Sequence, residues 1–205
     1  MVDTLLRKMT KEEKQQARQQ FILEKTLQLV LERGLDALSI ANVCIVTELG
    51  AGQIYRCFKD KNDLLQQLLI YLTEKRILHF QQDQFNLSRK AKELASGNIH
   101  HLPAAELKLL IDSMFAAEKY HIQDVLQCSE EMLMTEGIRQ LKQHFPHTSA
   151  AEIRAISEVL AVLSEGIMLR KANTFSHDAN PEILEKIYFA FLTTLNDMFN
   201  AKPLN

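Results

Sequence analysis

Apolar residues return along most of this chain every three or four positions, with polar residues between them. That is the spacing of amphipathic helices, not of strands. In the first third, Ile22, Leu23, Thr26, Leu29 and Val30 trace one helical face. A capping box of Thr10 with Glu13 begins that helix, and Gly34 ends it. Two short patterns follow across a break. Ile40, Val43 and Cys44 stand at i, i+3, i+4; Glu48-Leu49-Gly50 interrupts them; Ile54, Cys57 and Phe58 repeat the spacing. The second of these helices is far below the ~12–15 residues at which an isolated helix becomes marginally stable in water. It must therefore lean on its neighbours, which leaves Ala51, Gln53, Tyr55 and Arg56 on its outer face.

The stretch from Ser39 to Phe58 thus reads as a helix-turn-helix, a motif whose second helix enters a DNA major groove. Beyond it, Asp60 and Asp63 cap a long helix whose apolar face holds Leu64, Leu65, Leu68, Leu72 and Phe80. The pattern blurs around Gln81–Gln84, with no Pro/Gly/Ser-rich linker. The expected division is therefore a reading unit over residues 15–75 and a second domain over 76–205, joined by the long helix. A weak helix stops at Ser96-Gly97-Asn98, and Pro103 opens the next in its first turn, with a stripe of Leu107, Leu110, Ile111, Met114 and Phe115. A helix over about Ile122 to Phe145 ends at Pro146, and Ser149 with Glu152 caps its successor.

The last two helices carry regular seams. Ile156, Leu160, Leu163 and Ile167 lie on one, and Leu184, Tyr188, Phe191 and Leu195 on the other. Both are also apolar off the seam, at Val159, Val162, Met168, Ile187, Phe189, Leu192 and Phe199. Helices apolar around much of their circumference need partners on two sides. One partner is the domain's own core and the other a second copy of the chain, with the seams as the expected contact. The fold class is all-α, with about nine helices.

Composition narrows the functional classes. The 205 residues are 46% hydrophobic and 24% charged, with six Gly and four Pro, which suits a helical protein with a sizeable core. A net charge of −2 excludes a generally polycationic nucleic-acid binder. Residues 1–65 hold ten Lys/Arg and nine Asp/Glu, so any DNA contact is local and geometric. Cys44, Cys57 and Cys128 form no CxxC and suit a reducing compartment; with no signal or membrane-spanning segment, the expected setting is the cytoplasm. His100-His101 and His144-x-x-His147 lack a recognisable metal spacing. The single Glu118-x-x-His121 falls short of a di-iron site, which needs two such motifs. Neither a metal, a cofactor nor a catalytic centre is expected.

From Arg18 to about Leu69, a quarter of the chain, the sequence resembles the DNA-binding domain of the TetR family of transcriptional regulators. The resemblance rests on Ile22-Leu23, Thr26, Leu29-Val30 and Gly34, then Ser39-Ile40, Val43 and Gly52, and on Ile54-Tyr55, Phe58, Lys61 and Leu64-Leu65. Its densest part is Gly52-x-x-Tyr55-x-x-Phe58-x-x-Lys61. The resemblance implies a homodimer formed through the last two helices, a near-palindromic double-stranded operator as partner, and a small-molecule inducer held by the central helices. It implies most directly a repressor; a relative that binds ligands or proteins but not DNA is the alternative. The chain departs from the family pattern at Glu48, where a turn glycine is usual, and at Gly50, where a serine or threonine usually opens the second helix. It departs also at Cys44, Thr47 and Gln53.

Gln53 is the candidate base reader, since its amide can pair with N6 and N7 of adenine together; the alternative is a solvated glutamine. Arg56 is placed for either a guanine or a phosphate. Tyr55 and Lys61 resemble the family's phosphate-contacting pair, which sets register without reading sequence. Ser39 caps its helix and is a second phosphate candidate, and Gly50 and Ala51 present bare N–H groups at the start of the second helix. Arg7, Lys8 and Lys11 form a basic arm or a solvated tail. Met114, Phe115, Met132, Met134 and Met168 are candidates to line an adaptable cavity, though methionines at helical spacing are as readily core.

Overall fold

The computed structural model describes residues 10–82, 86–98, 102–172 and 179–200. Among these the chain is all-helical. In order, α1 is Lys11–Arg33, α2 Ile40–Thr47, α3 Ala51–Tyr55, α4 Lys61–Gln82 and α5 Leu87–Ser96. They are followed by α6 Ala104–Phe115, α7 Gln123–His144, α8 Ala150–Ala172 and α9 Pro181–Asn200, with a short 3-10 turn at Leu35–Ala37. Arg7, Lys8, His100 and His101 lie outside the described residues.

The helix boundaries follow from local chemistry. Thr10 Oγ1 accepts from the Glu13 N–H at 3.1 Å while the Glu13 carboxylate accepts from the Thr10 N–H at 2.7 Å. Gly34, at φ 80°, turns the chain out of α1. Asp60 Oδ1 accepts from the N–H groups of Asn62 and Asp63, and Asp63 Oδ2 from that of Lys59, which together begin α4. Ser149 with Glu152 and Asn180 with Glu182 do the same for α8 and α9. Pro103 sits one place earlier than its sequence context suggests, as the residue that precedes α6.

One core joins the faces of α1 to α4: Ile22, Val43, Ile54, Leu64, Leu68 and Leu72 are all fully buried in it. It continues without a break into Leu109, Leu110, Tyr120 and Ile122, so α6 and the start of α7 are seated on the helix-turn-helix unit. Two polar links cross the same junction. Lys75 on α4 pairs with Glu106 on α6 at 2.9 Å. Asp36, in the 3-10 turn, accepts from Lys119 at 2.6 Å and from the Tyr120 hydroxyl at 2.5 Å. These bonds hold the Asp36 carboxyl below its usual range.

A second core, built on Ala91, Leu94 and Leu192, holds α5 against α8 and α9. The expected dimer seam borders this core. Leu160, Leu163, Ile167, Tyr188 and Phe191 pack around α5 within the chain, and Leu184 and Leu195 are half-buried. Ile156 is 3% exposed in a third core with Leu141, Phe145 and Ile153, and has no surface to offer a partner. What stays open is the flank beside the seam: Val159, Val162 and Leu169 on α8, with Ile183, Ile187 and Met198 on α9.

Candidate nucleic-acid interface

The α2–α3 unit is fixed from inside. Ser39 Oγ accepts from the Asn42 N–H at 3.1 Å, and the Asn42 amide donates to the Ala37 carbonyl at 2.7 Å, which anchors α2 to the turn after α1. At its other end the buried Thr47 hydroxyl donates to the Val43 carbonyl at 2.6 Å, and the Leu49 N–H reaches Thr47 Oγ1 at 3.4 Å. Glu48 then takes a left-handed conformation, φ 58° and ψ 25°. A non-glycine residue there carries strain of about 1–2 kcal/mol. The departure from the family pattern at Glu48 is thus a strained turn as well as a misplaced charge.

Ile54 at 0% and Phe58 at 1% exposure anchor α3 in the core, and Val43 is likewise sealed. Cys44 and Cys57 are half-buried beside them, and burial pushes the Cys57 thiol up, so it stays protonated. On the other side of α3, Ala51, Gly52, Tyr55 and Arg56 are exposed. Tyr55 shows 54% of its surface. Lys61, the first residue of α4, is exposed as well, and Ser39 is half-buried. Gln53 is half-buried and already engaged: its side-chain carbonyl accepts from the Gly50 N–H at 3.1 Å. That bond satisfies one of the open donors at the start of α3, where the usual hydroxyl is missing. The Gln53 carbonyl oxygen thus uses one lone pair in the free protein, and its second lone pair and its NH2 group remain available.

A cavity of about 180 Å³ opens among α4, α5, α7, α8 and α9. Met134 and Met168 line it, with Phe80, Leu133, Leu160 and Leu192. The expectation for Met114, Phe115 and Met132 is corrected. Met114 and Phe115 are 58% and 80% exposed at the end of α6, because Ser113 takes the buried place in that last turn. The Ser113 hydroxyl donates there to the Leu109 carbonyl at 2.8 Å. Met132 is half-buried and outside the lining. The sequence reading missed Arg76, which stands four residues after Leu72 and four before Phe80 on the same face of α4 and enters the cavity. A cation in that apolar register was the signal that would have found it.

The described residues thus form a helix-turn-helix unit seated on a larger helical bundle. Solved structures match it over nearly their whole length. A Mesorhizobium loti protein assigned to the TetR family of transcriptional regulators superimposes with a TM-score of 0.69, over 93% of this chain and 98% of its own, at 12% identity. Salmonella enterica GusR gives 0.64, over 91% and 99%, at 15% identity. A Syntrophomonas wolfei protein also assigned to the TetR family gives 0.62, over 93% and 99%, at 20% identity. The chain therefore has the TetR-family fold. No protein-family model and no curated protein matches its sequence.

Proposed function

We propose that the protein is a member of the TetR family and acts as a dimeric, ligand-responsive transcriptional repressor in the cytoplasm. Two copies of α3 would enter successive major grooves of a near-palindromic operator, ~34–36 Å apart. The observation that carries this reading is the two-sidedness of α3. Ile54 is sealed, whereas Ala51, Tyr55 and Arg56 form an open face, and Lys61 at the start of α4 is exposed as well. Tyr55, Lys61 and Ser39 would hold phosphates, with the Ala51 N–H group beside them, the Gly50 N–H being taken by Gln53; Gln53 and Arg56 would meet the bases. The division at residues 15–75 and 76–205 belongs to the same proposal, with α4 as the connection.

Dimerisation is assigned to the open flank of α8 and α9, centred on Val162 and Ile187, which are 60% and 58% exposed. Effector binding in the cavity would favour a dimer whose two α3 helices no longer match the groove spacing, a population shift. To reverse occupancy the effector must prefer that state by several kcal/mol, about 5.5 for a full reversal. The test is retention on genomic DNA fragments as salt is varied. A repressor of this kind should lose affinity steeply and linearly on a log–log plot. Flat, weak retention would favour the second reading, a ligand or protein binder that no longer reads DNA. That alternative draws on Glu48 and on the thin basic charge of residues 1–65.

A further inference from the structure

The cavity has a buried donor that the fold itself does not answer. Arg76 reaches it from α4, and its Nε is buried with no hydrogen-bond acceptor among the described residues. A buried donor left unpaired is costly, and a buried guanidinium more so, unless something else completes it. The other ionic groups in the lining do not. Lys90 and Glu93 on α5 pair with each other at 2.9 Å. Glu130 on α7 and Glu165 on α8 act on Arg76 only through space, and both residues are exposed. Burial holds the Arg76 guanidinium at about 10, so it is charged at neutral pH. Ser157 has its hydroxyl on Met134 Sδ at 3.0 Å. Gln140 and Ser164 are the further polar residues of the wall, the Gln140 NH2 donating to the Phe80 carbonyl and to Glu136, and the rest is apolar, with Phe80, Leu133, Leu160, Met168 and Leu192.

We infer that this cavity binds a small monocarboxylate with an apolar body, its carboxylate bonded by Arg76. The inference rests on the proposed reading of the cavity as the effector site and gives that site its chemistry. Size limits the body. An apolar protein cavity of roughly 150 Å³ holds a benzene ring, and this one measures about 180 Å³. One ring, or a chain of about six to eight carbons, fits. The planar fork of arginine matches a carboxylate in two parallel bonds, which neither an amide nor an amine can reproduce. A cationic ligand would lie against Arg76 and leave Nε unanswered.

Three probes of one shape separate the possibilities: phenylacetate, phenylacetamide and phenethylamine, titrated calorimetrically into the full-length protein. Phenylacetate should bind roughly tenfold or more tighter than the amide, the ratio expected of hydrogen bonds to a charged group, and the amine should not bind. Arg76→Met keeps the volume and should abolish that preference. Glu165→Gln, at an exposed position, removes a repelling charge and should tighten phenylacetate several-fold; it serves also if Arg76→Met does not fold. Equal or tighter binding of the amide or the amine overturns the carboxylate assignment while leaving the cavity as an effector site. Binding of none of the three overturns it too, as does weaker phenylacetate binding by Glu165→Gln. Retention on DNA, measured separately, shows whether the regulator reading stands in each case.

Discussion

Gln53 carries two demands at once. Its carbonyl holds the Gly50 N–H at 3.1 Å, closing the start of a five-residue helix that has no hydroxyl cap. A bidentate contact to adenine would use the second lone pair of that oxygen together with the NH2 group, so the cap bond would fix the side chain that reads. Gln53→Ala should change base preference at one operator position in each half-site, read by selecting bound sequences with both proteins. Equal loss on every sequence would remove its reading role. Lys61→Ala should weaken all operators alike and reduce the salt slope by about one. Glu48 offers a test in the opposite direction. At φ 58° a glycine relieves strain, so Glu48→Gly should stabilise the protein by about 1 kcal/mol in urea unfolding and also strengthen DNA binding. Destabilisation would show that the Glu48 side chain holds the turn in some other way. Both features trace to residues visible in the sequence, but the cap bond between Gln53 and Gly50 was not. It depends on a rotamer, and spacing does not specify rotamers.

At the scale of helices, period and caps were legible and contacts only partly so. Thr10/Glu13, Asp60/Asp63, Ser149/Glu152 and Asn180 mark helix starts because short polar side chains answer free N–H groups locally. The buried face of α1 and α4 followed from spacing alone. The seam on α8 and α9 is different, since a stripe announces burial without saying whether its own chain or a second copy supplies the cover. Within the chain α5 supplies part of it, and of the seam Ile156 alone is sealed. Accordingly, Val162→Glu or Ile187→Glu should give a monomer by analytical ultracentrifugation, whereas Leu163→Glu should unfold the bundle. A dimer that survives both exposed-face changes would place the contact elsewhere. The junction between helices has its own pH signature. The Asp36 carboxyl is held down by its bond to Lys119, then by that to Tyr120. Its contribution is complete above its ordinary value of 3.8 and is lost as pH falls through the lower folded value. Asp36→Asn should lower the unfolding midpoint at pH 7, and the difference from the native protein should vanish in acid.

Across the whole molecule, the helix-turn-helix unit and the cavity sit at opposite ends of α4, with Lys61 at its start and Arg76 and Phe80 near its finish. The first core runs from α1 to Val125 on α7 and reaches Leu72 on α4, about one turn short of Arg76. The account depends most on two copies of α3 meeting one duplex. Selection from a random double-stranded pool with the full-length protein tests this directly. The expected result is an enriched inverted repeat whose half-site centres are one helical turn apart or a multiple of it, and whose binding is lost in Val162→Glu. A pool that enriches no sequence, or a single unrepeated half-site bound equally well by that variant, would contradict it.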